Sequence, residues 1–234
     1  MFYVYGIVDA PRFDAKLRGH QGAEVMPITC GDIAAAVSAL GHEIAPEPRA
    51  VWRHEQVLQS LMRRHAVLPL RFGTLAGDRE TLRRVIARLQ PVLSRDFDRL
   101  RGNVEFAVRV KDIGEMSRPA CDDEDKGPFA PGTGYLRAKA ALLRARGARE
   151  AAARSVEHEL RRHLDPHAVE TAWEIVQGGD VALTASYLVG RDDIAPFFDA
   201  LDQVRRRHPQ LHVSCTGPWA PYSFVASNAT EAWQ

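Results

Sequence analysis

Between Asn103 and Lys111 the chain alternates. Val104, Phe106, Val108 and Val110 fall on one face, and Glu105, Ala107, Arg109 and Lys111 fall on the other. A period of two is the mark of a half-buried strand, because successive side chains point to opposite sides of a sheet. The elements after this strand narrow the fold further. A helical stretch from about Tyr135 to Leu164 carries Leu136, Ala140, Leu143, Gly147, Val156, Leu160 and Leu164 on roughly one side, and Asp165-Pro166 ends it. Val169 to Val176 and Val181 to Val189 read as a hairpin across Gly178-Gly179-Asp180. Ile194 to His208 is a helix bearing Phe197, Phe198, Leu201 and Val204, and Leu211 to Cys215 is a last strand, beyond which no periodicity continues. Strand, helix, strand, strand, helix, strand is the ferredoxin-like βαββαβ order, an antiparallel sheet covered on one face by two helices.

The part before it reads as a separate α+β unit of three strands and two helices. Phe2 to Val8 is aromatic and β-branched and is followed by Asp9-Ala10-Pro11, which suits an opening strand. Glu24 to Cys30 and Ile33 to Ala39 form a hairpin around Gly31-Asp32, although the Ala-rich second run also suits a helix. Gly41 to Ala50, with Pro46 and Pro48, reads as loop. Val57, Leu58, Leu61 and Met62 give helical spacing between Val51 and His65, and Val67 to Leu70 is a short strand or turn followed by Arg71-Phe72-Gly73-Thr74. The clearest helix carries Leu82, Val85, Ile86, Leu89, Leu93, Phe97 and Leu100, with Asp78 as N-cap and a kink expected at Pro91. The expected architecture is α+β with two domains, which suits a chain of 234 residues. Residues 1–102 make the N-terminal unit. Residues 103–234 make the ferredoxin-like domain, with a long loop at 112–134 and a Pro/aromatic tail at 217–234. The boundary falls near Arg101-Gly102.

Composition excludes several functions. The chain holds 31 Lys+Arg against 30 Asp+Glu, a net charge of +1, so it is not a globally basic nucleic-acid binder. Cys30, Cys121 and Cys215 lie far apart without metal-ligand spacing and read as reduced thiols of a cytoplasmic protein. The start lacks a basic region followed by an apolar run, so no signal peptide is expected. The charge-free stretch from Pro209 to Thr230 is too polar and too broken by Gly217, Pro218 and Pro221 to cross a membrane.

Four motifs invite chemistry and fail on spacing. His158-Glu159 with His163 separates the histidines by five residues, which turns the second ring by about 140° to another helix face instead of the one a zinc site needs. Gly127 to Gly134 opens a helix as a phosphate loop does, but Gly132 is followed by Thr133 and Gly134, with Lys139 more than a turn on. Pro128 and Pro131 also remove amide donors, which leaves weak anion binding at the helix N-terminus as the alternative reading, a small-ligand or anion-binding enzyme or sensor. Asp122 to Asp125 lacks the glycine and glutamate positions of a calcium loop. Arg137, Lys139, Arg144, Arg146, Arg149 and Arg154 scatter around their helix without interleaved aromatics, which suits a polar face. No nucleophile–base–acid set is evident, and no cofactor or metal is expected.

The unusual feature is Gly217-Pro218-Trp219-Ala220-Pro221-Tyr222-Ser223-Phe224-Val225, three large aromatics on a proline-stiffened segment without charge. Such residues serve either as core or as an anchor patch for a protein partner. This run resembles the C-terminal signature of the gas vesicle accessory proteins GvpF and GvpL. Tyr3 to Ile7, His54-Glu55, Val67 to Thr74, Arg109-Val110-Lys111 and Gly132 to Leu136 with Lys139 are similar to the same family, in the expected order. Ala220 departs from it, where many members place a second proline, and the loop from Asp112 to Lys126 matches no fixed motif.

The resemblance implies a non-enzymatic assembly factor for gas vesicles, the gas-filled protein shells that give some bacteria and archaea buoyancy. It implies two α+β domains, the second ferredoxin-like. The implied partners are the small hydrophobic shell protein GvpA and other accessory proteins, with a minor place on the vesicle itself. The partner surface expected here includes Arg71, Phe72, Trp219, Tyr222 and Phe224.

Overall fold

A computed structural model of the chain describes residues 1–13, 16–111, 133–174 and 181–226. The chain divides into two compact units. The first is Met1–Phe106 together with the segment that starts at Gly217, and the second is Ala107–Thr216.

The first unit is built on a five-stranded antiparallel sheet. Its strands are β1 (Phe2–Val8), β2 (Met26–Cys30), β3 (Ile33–Ala39), β4 (Val67–Pro69) and β5 (Leu75–Ala76). They run in the order β2-β3-β1-β4, with β5 also on β1. The central strand is the aromatic, β-branched one. Tyr3, Val4, Tyr5, Ile7 and Val8 are all buried, as an inner strand covered on both faces requires. Gly6 sits at a shift in the β1–β3 register, where a Cβ would meet the Leu68 carbonyl at 2.7 Å. Leu75-Ala76 and Val67–Pro69 line one side of β1 in turn, so the unit has five strands where the sequence pattern suggests three. The Ala-rich run Ile33–Ala39 is strand, paired with β1 and β2 and buried through Ala34, Ala35, Ala36 and Val37.

Two helices pack on this sheet. Helix α1 spans Pro48–Met62, so Pro48 belongs to its first turn and not to the preceding loop, a position where proline's missing N–H costs nothing. Helix α2 spans Arg79–Leu100, and the Asp78 carboxylate caps it by accepting the Thr81 N–H at 2.8 Å. It runs unbroken through Pro91, which lies on the exposed side, so the expected kink does not end or divide it. Leu82, Ile86, Leu89, Leu93, Phe97 and Leu100 form its buried stripe.

The second unit carries most of β6 (Asn103–Lys111), α3 (Thr133–Leu164), β7 (Glu170–Glu174), β8 (Val181–Gly190), α4 (Ile194–Arg207) and most of β9 (His212–Trp219). The sheet order is β7-β8-β6-β9. The first and third strands of the βαββαβ series are thus central, flanked by the fourth and second, which is the ferredoxin-like arrangement. Its core holds Val156, Leu160 and Leu164 of α3, Leu183, Ala185, Tyr187 and Leu188 of β8, and Phe197, Leu201 and Val204 of α4. Among the α3 side chains that are described, Leu143 of the expected apolar stripe is 59% exposed, and the buried ones are Ala153, Val156, Leu160 and Leu164.

Two further differences matter for the site. The last strand does not stop at Cys215 but continues to Trp219, followed by a short 3-10 helix at Tyr222–Phe224. The segment from Gly217 clusters with the first unit instead of the second. The loop read at 112–134 lies outside the described residues up to 132, and with it the acidic run Asp122–Asp125, Cys121 and most of the Gly127–Gly134 segment. The hairpin turn at Gly178-Gly179-Asp180 lies outside them too. Among the described residues no helix is long and apolar enough to cross a membrane, and no group of three or more His, Cys, Asp or Glu is placed to hold a metal ion.

Candidate partner-binding site

Two features converge on α1 through neighbouring residues, His54 and Glu55. Adjacent positions on a helix point about 100° apart, so one helix can brace two separate segments. His54 serves the turn that carries Arg71 and Phe72. Its Nε2 lies 3.1 Å from the Leu70 carbonyl, which can only accept, so Nε2 carries the proton. Nδ1 is then the acceptor for the Tyr3 hydroxyl at 2.8 Å, and that hydroxyl in turn accepts the Gly73 N–H at 3.1 Å. The relay runs from Gly73 through Tyr3 and His54 to Leu70, and it closes the Leu70–Gly73 turn at both ends. Thr74 tightens it by donating its hydroxyl to the Arg71 carbonyl at 2.7 Å.

The relay needs a neutral imidazole, and the surroundings supply one. His54 is buried, and burial together with the nearby His20 pushes it down to about 4. Burial likewise raises the Tyr3 phenol. Tyr5 extends the buried layer: it donates to Ser38 Oγ at 3.2 Å and accepts the His20 N–H at 2.9 Å. Phe72 packs its edge against Tyr3, His20 and His54 with ring centroids 5.8–6.0 Å apart, leaving it half-buried, whereas Arg71 is exposed.

Glu55 serves the C-terminal segment. It is one of three carboxylates, from three different elements, that hold this segment on the first unit. Glu55 of α1 accepts the Tyr222 hydroxyl at 2.6 Å. Glu105 of β6 accepts both the Ser223 N–H, at 2.9 Å, and the Ser223 hydroxyl, at 2.7 Å. Asp96 of α2 accepts the Ala226 N–H at 3.0 Å with one oxygen and Arg99 at 2.9 Å with the other, while Arg99 also donates to the Phe224 carbonyl. Burial raises Glu55, the Tyr222 bond opposes the rise, and Glu105 adds to it. The Tyr222 phenol is raised by burial and then by Glu55. These bonds, with Ala220 and Phe224 buried, are why the tail belongs to the first unit.

The expected partner residues therefore differ in kind. Phe224 is 4% exposed and is core. Tyr222 is half-buried and anchored, Trp219 and Phe72 are half-buried, and Arg71 is exposed. Glu105 stands at a polar position of the alternating strand, where a solvent-facing side chain is expected, yet it is 5% exposed because its partner returns from 118 residues further along. Asp96 and Arg99 were hidden in the same way. Trp52 escapes the sequence pattern altogether: it is 52% exposed on α1, one turn before Glu55.

Removing one anchor tests this arrangement. Glu105→Gln keeps the shape but leaves one uncharged acceptor oxygen where the carboxylate offers two, one to the Ser223 N–H and one to its hydroxyl. A loss of about 1.5–3 kcal/mol in denaturant unfolding is expected, the usual scale for bonds to a charged group. Faster chymotryptic cleavage at Tyr222 and Phe224 should accompany it. Unchanged stability and cleavage would show that Glu105 does not hold the tail.

Fold and site together define a two-unit α+β protein with an aromatic C-terminal segment pinned by carboxylates. The model of the family described as gas vesicle synthesis protein GvpL/GvpF matches residues 1–226. The chain is 31% identical over 181 residues to gas vesicle protein L of Streptomyces sp. strain CB03234, covering 74% of this chain and 67% of that one. It is 29% identical over 242 residues to gas vesicle protein F of the same strain, covering 95% and 98%. Its backbone matches the crystal structure of GvpF from Microcystis aeruginosa with a TM-score of 0.79 at 20% sequence identity, over 96% of this chain and 98% of that one. The chain belongs to the GvpL/GvpF family and is a gas vesicle accessory protein.

Proposed function

We propose that the chain is a non-enzymatic assembly factor that holds the gas vesicle shell protein GvpA, and other accessory proteins, while the vesicle forms, and that it stays as a minor vesicle component. The observation that carries this reading is the aromatic C-terminal segment, fixed in place by the buried Asp96 and Glu105 and the half-buried Glu55, yet leaving Trp219 half-exposed. A rigid, pre-positioned aromatic loses little entropy on binding, which is what an anchor residue needs. Arg71 and Phe72, on their braced turn, supply the rest of the surface, and Tyr222 and Phe224 brace it from beneath. The need for such a partner is physical. A small shell protein that polymerises into a β-rich wall exposes unpaired edges and apolar surface before assembly, and a soluble chain that covers them prevents premature aggregation.

Co-expression with the shell protein from the same organism, followed by affinity pull-down and gel filtration, tests this. Soluble co-elution is expected, and Trp219→Ala should cut the co-eluting shell protein by about tenfold while unfolding remains cooperative with a nearly unchanged midpoint. A shell protein that stays insoluble, with nothing co-eluting, sinks the reading. A Trp219→Ala chain that fails to fold assigns that residue to the core instead.

A further inference from the structure

We propose that the groove at the N-terminal end of α1 binds a small zwitterion of the amino-acid class, at a site separate from the partner surface above. The groove has a volume of about 710 Å³, within the range of small-molecule sites, and all the residues that line it belong to the first unit. Arg49 and Arg53 line it from α1, Glu43 and Glu47 from the chain leading into that helix, and His20 and Gln21 from a short 3-10 turn, His20–Gly22. His20 is the observation that points to a ligand. It is 3% exposed, and its Nε2 has no hydrogen-bond partner. Burial and then Arg53 push the ring down, so it is neutral and offers one donor and one acceptor. Packing holds it in place: Tyr3 and Phe72 meet it edge to face with ring centroids 4.4 and 5.8 Å away, and the Tyr5 hydroxyl accepts its backbone N–H at 2.9 Å. A buried ring left unpaired costs free energy, which a polar ligand in the groove recovers.

The charges define the kind of ligand that fits. Helix α1 has no acid in its first turn and carries Arg49 there, with Arg53 one turn further on, both at the positive end of the helix dipole. Pro48 has no N–H, and that of Arg49 bonds to no described residue. A free amide beside guanidinium groups at a helix start suits a carboxylate. Glu43 and Glu47 ask for the opposite charge, and the Glu47 side chain does not cap the helix. All four charged side chains are exposed, and none makes an ion pair or hydrogen bond with a described residue. A purely anionic ligand would meet the two glutamates and a purely cationic one the two arginines. A carboxylate and an ammonium on one small molecule answer both. Ile44 and Ala50 add apolar wall for its side chain.

A thermal-shift screen of the intact chain against each common amino acid at millimolar concentration, followed by isothermal titration of the strongest, tests this. At least one should raise the midpoint, and it should bind at least about tenfold more tightly than its own decarboxylated amine or its own deaminated acid. The Arg49→Gln, Arg53→Gln double variant should lose at least about tenfold in affinity, and so should Glu43→Gln, Glu47→Gln, both with an unchanged circular dichroism spectrum. Saturation should also shift the His20 ring resonances in NMR spectra, which a merely structural ring would not show. Equal binding of the deaminated acid, or displacement by inorganic phosphate, would reduce the groove to a simple anion site and overturn the proposal. Binding that survives both double variants would place the ligand elsewhere and overturn it as well. If no amino acid moves the midpoint while the shell protein still co-elutes, this site falls and the assembly role stands.

Discussion

Replacing Gly217 by alanine should destabilise the first unit by about 3 kcal/mol. Two independent costs coincide there. The residue has φ +135°, a region that side chains rarely enter, and an added Cβ would lie 2.7 Å from the Glu105 carbonyl and 2.8 Å from the Phe106 ring. The carbonyl belongs to a strand and cannot yield as the end of a flexible side chain would. Relief by moving Gly217 outward would pull Ser223 away from Glu105 and Tyr222 from Glu55. Denaturant unfolding with tryptophan fluorescence measures the effect. A Gly217→Ala chain as stable as the parent would mean that the C-terminal segment adapts freely and is not pinned.

Acidification should weaken the fold over a defined window. His54 ionises near 4 in the folded chain and near 6.5 when unfolded. Between those values the unfolded chain holds the proton and the folded chain does not, so stability is full above about 6.5 and falls as the pH drops towards 4. The gap corresponds to about 3 kcal/mol, and below pH 4 this group takes nothing further because both states are protonated. The structural reason is that an imidazolium has two donors, and the Tyr3 hydroxyl would have to give up its acceptor at Nδ1. His20, lowered by burial and then by Arg53, acts in the same direction. Unfolding midpoints measured from pH 7.5 to 4 should show this slope, and His54→Asn should flatten it while starting from a lower stability at pH 7.5. A slope that survives the substitution unchanged would assign it to other groups.

Much of the fold was legible because it is written in local patterns. The period of two in Asn103–Lys111 and the helical stripe from Leu82 to Leu100 each reflect burial on one face, and the order of elements after Val104 leaves few topologies open. Leu75-Ala76 was not legible, since two residues pairing with Phe2 and Tyr3 carry no period. Nor was the exposure of Leu143 on α3, which obeys the spacing of a buried face and yet is 59% exposed. For the site, the sequence drew the eye to the aromatics and the structure draws it to the acids that hold them. Glu55, Asp96 and Glu105 look like ordinary surface charges until residues more than a hundred positions away return to meet them. No periodicity encodes a contact of that range.

The return of the segment from Gly217 also sets an order of events during synthesis. A nascent chain that has reached residue 216 has made both sheets' inner strands, yet Glu55, Asp96 and Glu105 still lack their tail partners, and the hydrophobic place of Phe224 stands empty. The first unit begins earliest and is finished only after the whole second unit has left the ribosome. A product terminated before Gly217 is therefore left with an open, acid-lined seam, by which quality-control proteases can distinguish it from the finished protein.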